Sequence, residues 1–147
     1  MSPEKVERFI VANLRLLALS FAAVGLLFIV SPDGTLGRID DLGDIFGDFT
    51  AAPETQQQLW LSLGFAYMVV ITGICLIAQA DVVRYRPLLL LLAAGKAASS
   101  LTSLAFFIFD ADVFAYLLNF LVDGSLTLAA LWLWALAGRV PRRPAPG

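Results

Sequence analysis

Histidine is absent from the chain, and cysteine occurs once, at Cys75. The first absence removes the commonest ligand of haem and catalytic zinc, and the side chain most often used as a general base near neutral pH. The second excludes an intramolecular disulfide and a CxxC redox pair. Charge is scarce too: Asp, Glu, Lys and Arg make up 15% of the residues, against about a quarter in a soluble domain. Membrane thiol oxidoreductases and subunits carrying haem or an iron–sulfur cluster are therefore poor readings.

What fills the 147 residues is apolar. Hydrophobic residues account for 59% and the mean hydropathy is +0.82. Crossing the hydrocarbon core as a helix takes about 20 mostly apolar residues, and four runs meet this, over residues 9–30, 59–80, 88–109 and 113–137. Backbone polar groups in lipid must be satisfied within the segment, so runs of this length read as helices. None shows the strict alternation of a membrane barrel. Lys5 and Arg8 precede the first run as they would a secretory signal, but the run is long for that role. It also lacks a small-x-small cleavage site before Ser31-Pro32. The expectation is an all-α integral membrane four-helix bundle over residues 1–138, followed by a disordered basic tail over 139–147.

Charge placement gives a direction. Lys5, Arg8 and Arg15 stand at the start of the first run, Arg84 and Arg86 between the second and third, and Arg139, Arg142 and Arg143 after the fourth. The intervening loops are acidic, with six carboxylates between residues 31 and 58, and Asp110 and Asp112 between the third and fourth runs. By the positive-inside rule both termini are cytoplasmic. Trp60 and Tyr116 fall at the outer helix ends, and Tyr85, Trp132 and Trp134 at the inner ends, as interfacial belts require. Arginine outnumbers lysine eight to two and alanine is abundant, which suits a GC-rich bacterial genome. The expected location is the bacterial inner (plasma) membrane.

The loop over 31–58 has a pattern of its own. Leu36, Ile39, Leu42, Ile45, Phe46 and Phe49 recur every three or four residues, which predicts a short amphipathic helix on the outer interface. Asp40, Asp44 and Asp48 would stack on its polar face as a docking surface for a basic partner or a divalent cation site; a solvated face is the plainer reading. The EF-hand spacing is absent, and no metal site is expected.

Two ionisable residues stand near mid-membrane, Lys96 in the third run and Asp123 in the fourth. An isolated charge there costs at least about 2.5–3.5 kcal/mol. Counting residues along two antiparallel helices puts the two within a few ångströms of the same depth, at about 1.5 Å per residue. An ion pair inside the bundle follows as an expectation. Tyr116, Asn119, Asp123 and Thr127 share one face of the fourth run; Lys96, Ser99 or Ser100, and Ser103 share one of the third. Tyr67 in the second run can bring its hydroxyl to the same network. This polar seam is either a binding cavity or proton path opening outward past Asn119 and Tyr116, or a structural pair that fixes helix register. Cys75 reads as a small core residue, Arg15 as a snorkelling one, and Gln56, Gln57 and Gln58 as the polar start of the second span.

An Arg- and Gly-bearing first helix (Arg15, Gly25), a Gly-x-x-Tyr in the second (Gly64, Tyr67) and an Asp-Gly in the fourth (Asp123, Gly124) give the chain a layout that resembles the DoxX-like group of small bacterial membrane proteins. That resemblance implies four spans and an accessory role beside redox or stress-response enzymes.

The leading functional expectation is a non-enzymatic accessory or assembly subunit, packing as a homo-oligomer or within a larger membrane complex through its acidic loop and small-residue faces. The alternative is a carrier or binding protein for a small lipophilic or protonatable ligand centred on Lys96 and Asp123. An enzyme comes third and would have to rest on Lys96, Asp123 and Tyr67. No cofactor is expected, though the seam leaves room for a bound lipid or quinone-like molecule. The bilayer is the expected surrounding, and nucleic acid is not an expected partner.

Overall fold

A computed structural model describes residues 2–54 and 58–141. Among these residues five helices follow one another: α1 Pro3–Val30, α2 Pro32–Gly43, α3 Gln58–Ala78, α4 Arg86–Phe109 and α5 Phe114–Ala137. Four of these (α1, α3, α4 and α5, of 28, 21, 24 and 24 residues) are long and apolar enough to cross a membrane. Gln56, Gln57 and residues 142–147 lie outside the described residues, and with them two of the expected glutamines and most of the expected tail.

Local sequence accounts for the ends. Pro3 takes the first turn of α1, where its missing N–H is no loss, and Glu4 beside it favours the positive end of the helix dipole. The helix therefore starts before the apolar run, at Pro3 rather than Phe9. Pro32 disfavours helical backbone at Ser31 and so divides α1 from α2, whose first turn it opens. Asp81 accepts hydrogen bonds on Oδ1 from the Val83 and Arg84 backbone N–H groups at 3.1 and 2.9 Å, an Asx turn that reverses the chain between α3 and α4.

The spans form a ring in which α1 packs on α3, α3 on α4, α4 on α5 and α5 on α1, while diagonal pairs make no backbone approach among the described residues. The closest packings are α4 with α5 and α1 with α3. On α1 the buried residues Val6, Ile10, Leu14, Ala18, Phe21 and Gly25 follow a three-to-four-residue stripe. The rest of its surface leaves large apolar side chains uncovered, such as Leu19 and Leu26. In water this would be an aggregation liability; against acyl chains it is the ordinary condition of a span.

Core packing is uneven along the bundle. At the end that gathers the start of α1, the α3–α4 turn and the end of α5, Ile10, Leu14, Ala78, Leu89, Leu133 and Ala137 make one buried cluster. Arg86 ties this end, donating from Nε to the Trp134 carbonyl at 2.9 Å with its guanidinium over the Trp134 ring at 4.1 Å. Arg15 is held there too, donating to Gln79 Oε1 at 3.2 Å. Cys75 is fully buried in the cluster.

At the other end the amphipathic element is present but shorter than the sequence pattern predicts. α2 stops at Gly43; Asp44 is its cap, and Asp48 lies beyond it. The three aspartates thus share no helical stripe, which corrects that expectation. The reason is a competing contact: Phe46 and Phe49 leave the helical register to pack on Phe114, with centroids 5.9 and 5.1 Å away. Thr50 joins the same end, its hydroxyl bonded to Asp112 and its N–H donating to the Asp112 carbonyl at 3.3 Å. Asp40 is half-buried and accepts from the Ala52 N–H at 3.0 Å, so it holds the loop's return path.

Gly43 is where α2 meets α5: a Cβ there would stand 2.8 Å from the Phe114 Cβ, whereas one on Gly37 would meet nothing within 4 Å. Gly43→Ala is expected to weaken the α2 docking by about 1–3 kcal/mol through overpacking. Gly37→Ala should strengthen the helix by about 0.5–1 kcal/mol. Hydrogen exchange across residues 32–43 reads both. Equal effects from the two would mean that α2 does not rest on Phe114.

Candidate functional site

Where the apolar cluster ends, the polar groups of the spans begin. Lys96 and Asp123 are 4% and 5% exposed, and Lys96 donates from Nζ to Asp123 Oδ1 at 3.0 Å. Two aromatic faces complete the ammonium's surroundings, Phe21 of α1 at 4.7 Å and Tyr67 of α3 at 5.5 Å. The cation is thus shared by all four spans, with a carboxylate on one side and ring π-faces on others.

Further along the α4–α5 seam, hydroxyls and an amide stitch the helices. Asn119 donates from Nδ2 to Ser103 Oγ at 2.7 Å and to Ser99 Oγ at 3.2 Å. Ser100 donates to the Phe120 carbonyl at 2.8 Å. Gly124 allows this approach, since a Cβ there would stand 3.2 Å from the Ser100 Oγ.

Three residues of the expected seam take other roles. Thr127 donates to the Asp123 carbonyl on its own helix at 2.8 Å, a local bond that serves no neighbour. Tyr116 packs its ring on Phe106 with centroids 5.8 Å apart and does not line the cavity described next. Tyr67 offers Lys96 its ring rather than a hydrogen bond; its hydroxyl is buried and has no hydrogen-bond partner among the described residues.

Beyond the pair the helices part. A cavity of about 770 Å³ runs from Lys96 and Asp123 to the underside of α2, where Pro32 and Leu36 line it. Its walls are almost wholly apolar, with Phe28 and Val24 from α1 and Phe65 and Met68 from α3. Leu16 and Val24 of α1 and Val122 of α5 line it and are also exposed on the flank of the bundle. The cavity is therefore a cleft open sideways between α1 and α5, not the outward path past Tyr116 that the sequence suggests. On the opposite flank a hollow of about 430 Å³ between α3 and α4 shares Gly64, Tyr67 and Ser99 with it.

The arrangement joins an apolar chamber to a few polar groups at one end. It has the shape and size of a small-molecule site: concave, apolar, with a few convergent polar groups. Among the described residues no three His, Cys, Asp or Glu side chains gather where they could hold a metal ion. Phe21 is the residue sequence reasoning missed; it continues the apolar stripe of α1, and nothing in that periodicity distinguishes it from a core phenylalanine. Comparisons with family models, characterised proteins and solved structures give no match.

Removing one member of the pair leaves the other buried and uncompensated. Lys96→Met and Asp123→Leu are each expected to cost about 3–5 kcal/mol, and the double substitution to recover most of the loss. Denaturant unfolding of the full chain in detergent reads the cycle. A double variant no more stable than the weaker single one would show the two charges to be energetically independent.

Proposed function

We propose that this protein is a membrane-embedded binding or carrier protein for a single lipid-like amphiphile, taken up sideways from the bilayer. One observation carries the reading: an apolar cleft of about 770 Å³ that has a buried charge pair near its deep end and a flank open between α1 and α5. The polar head lies against Lys96, Asp123 and Asn119, and the hydrocarbon tail runs between α1 and α3 toward α2. A register pin alone needs no cavity; a helix pair fixed by Lys96 and Asp123 could pack to its end, as the other half of the bundle does.

A second reading, an accessory or assembly subunit, is favoured by the uncovered apolar side chains Leu42, Ile45 and Phe46 beside α2. The aspartates contribute less to it than the sequence suggests, because Asp40 is engaged with the Ala52 N–H.

Purification from the host membrane in mild detergent, followed by native mass spectrometry, tests the first reading. One small-molecule adduct per chain is expected, and Ser20→Phe, which fills the cleft from α1, should abolish it while leaving the melting temperature unchanged. A chain that never carries an adduct, or a filled variant that keeps it, would sink the proposal. A stoichiometric protein companion would favour the subunit.

The charge pattern supports a plasma-membrane orientation, in a bacterium, with α1 entering from the cytoplasm and α2 outside. Cys75 is buried, so a Cys75→Ala background leaves no thiol of its own. In that background Asp48→Cys should react with a membrane-impermeant maleimide in intact cells, and Lys5→Cys only after permeabilisation. The reverse order of labelling inverts the topology.

A further inference from the structure

We infer that the amphiphile bound in this cleft has an uncharged, oxygen-bearing head, a carbonyl or hydroxyl group such as an ester or alcohol lipid carries, and that the Tyr67 hydroxyl is the donor reserved for it. The inference rests on the binding function proposed above and narrows it.

The first argument is charge. Among the described residues lining the cleft, Lys96 and Asp123 alone carry charge at neutral pH, and they neutralise each other at 3.0 Å. A phosphate or carboxylate head would bring a net charge into an apolar chamber with no cation left to meet it. It would either share the Lys96 ammonium with Asp123, leaving one negative charge uncompensated, or draw Lys96 away and leave that carboxylate buried and alone. A neutral head avoids both penalties. It can still accept from the remaining Lys96 N–H groups, since an ammonium has three donors and one is directed at Asp123.

The second argument is the unused donor. The Tyr67 hydroxyl is buried without a partner among the described residues, in a protein whose neighbouring Ser99, Ser100, Ser103 and Asn119 all have theirs. Burying a hydroxyl unpaired is unfavourable, and such groups in native proteins have a cause. Tyr67 lines both the cleft and the hollow on the opposite flank, and its ring already lies beside the Lys96 ammonium. Gly95 lets the hydroxyl lie close against α4: a Cβ there would stand 3.2 Å from it. An acceptor oxygen arriving with a ligand satisfies the Tyr67 O–H within reach of the charge pair.

The test uses the full chain in lipid nanodiscs and three oleoyl probes that differ in the head: mono-oleoylglycerol, oleate and oleoyl-lysophosphatidate, with affinities read by native mass spectrometry. Mono-oleoylglycerol should bind at least about tenfold more tightly than either anion, the scale of one hydrogen bond or unpaired charge. Tyr67→Phe should weaken mono-oleoylglycerol about tenfold while the ligand-free melting temperature holds or rises, because the variant removes an unsatisfied group. Gly95→Ala crowds the same hydroxyl and should weaken binding if the phenylalanine variant folds poorly. Equal or tighter binding of an anion overturns the neutral-head inference but leaves the cleft a lipid site. Undiminished binding by both variants overturns the role of Tyr67, with water as the hydroxyl's partner. Failure of every probe, in a chain that also carries no lipid from its host, rejects the binding reading itself.

Discussion

A charge held in the interior of a membrane has to be neutralised within the protein, and that requirement governs how α4 and α5 meet. Lys96 reaches Asp123 only in one antiparallel register, and in that register Ser100 finds the Phe120 carbonyl and Asn119 finds Ser99 and Ser103. A slip of one residue would turn several polar side chains toward acyl chains at once. The close α4–α5 packing follows, helped by Gly124 and by small residues around Lys96 that let the backbones approach. The remaining spans are then arranged around the charge: α1 brings Phe21 and α3 brings Tyr67 to its other sides.

The same medium explains why half the bundle stays open. In water an apolar chamber of this size would collapse, because burying its walls is favourable. In lipid that drive is missing, and helices associate by packing and hydrogen bonds instead. Where side chains interlock, around Leu14, Leu89 and Leu133, the bundle is closed. Beyond Lys96 α1 holds to α3 by a close approach at Gly25, where a Cβ would stand 2.9 Å from the Met68 Cβ. α1 thus leans on α3 and leaves α5, and the cleft is the gap between two well-packed pairs.

The spans could be read from the sequence because lipid demands length and apolarity of each one separately; no tertiary knowledge is needed to see them. The depths of Lys96 and Asp123 could be read for the same reason, as residue counts along straight helices. Features that depend on two elements at once could not. α1 starts at Pro3 because Pro3 and Glu4 suit a helical first turn, which hydropathy does not register. α2 ends at Gly43 because Phe46 and Phe49 prefer Phe114, a partner 65 or more residues away in sequence. Tyr67 and Tyr116 both have a claim to the seam by sequence, and packing separates them: Tyr67 lays its ring beside Lys96, whereas Tyr116 packs on Phe106. The cleft itself has no sequence signature, since leucine and valine line it as they line the closed half.

The position of α2 bears on how anything could reach the charge pair. Pro32 and Leu36 form the end wall of the cleft, and the segment after α2 is fastened to α5 by Phe46 and Phe49 on Phe114 and by Thr50 on Asp112. A polar solute arriving from the aqueous side would have to displace that anchored segment and then cross an apolar chamber to reach Lys96. A molecule already dissolved in the membrane meets neither barrier, because the gap between α1 and α5 faces the acyl chains directly. Its tail would exchange one hydrocarbon surrounding for another at little free-energy difference, so selectivity would fall to the head and to the few polar atoms at the deep end. A site built this way would discriminate by hydrogen bonding and charge, so the residues to examine for specificity are those around Lys96 rather than the many that make up the walls.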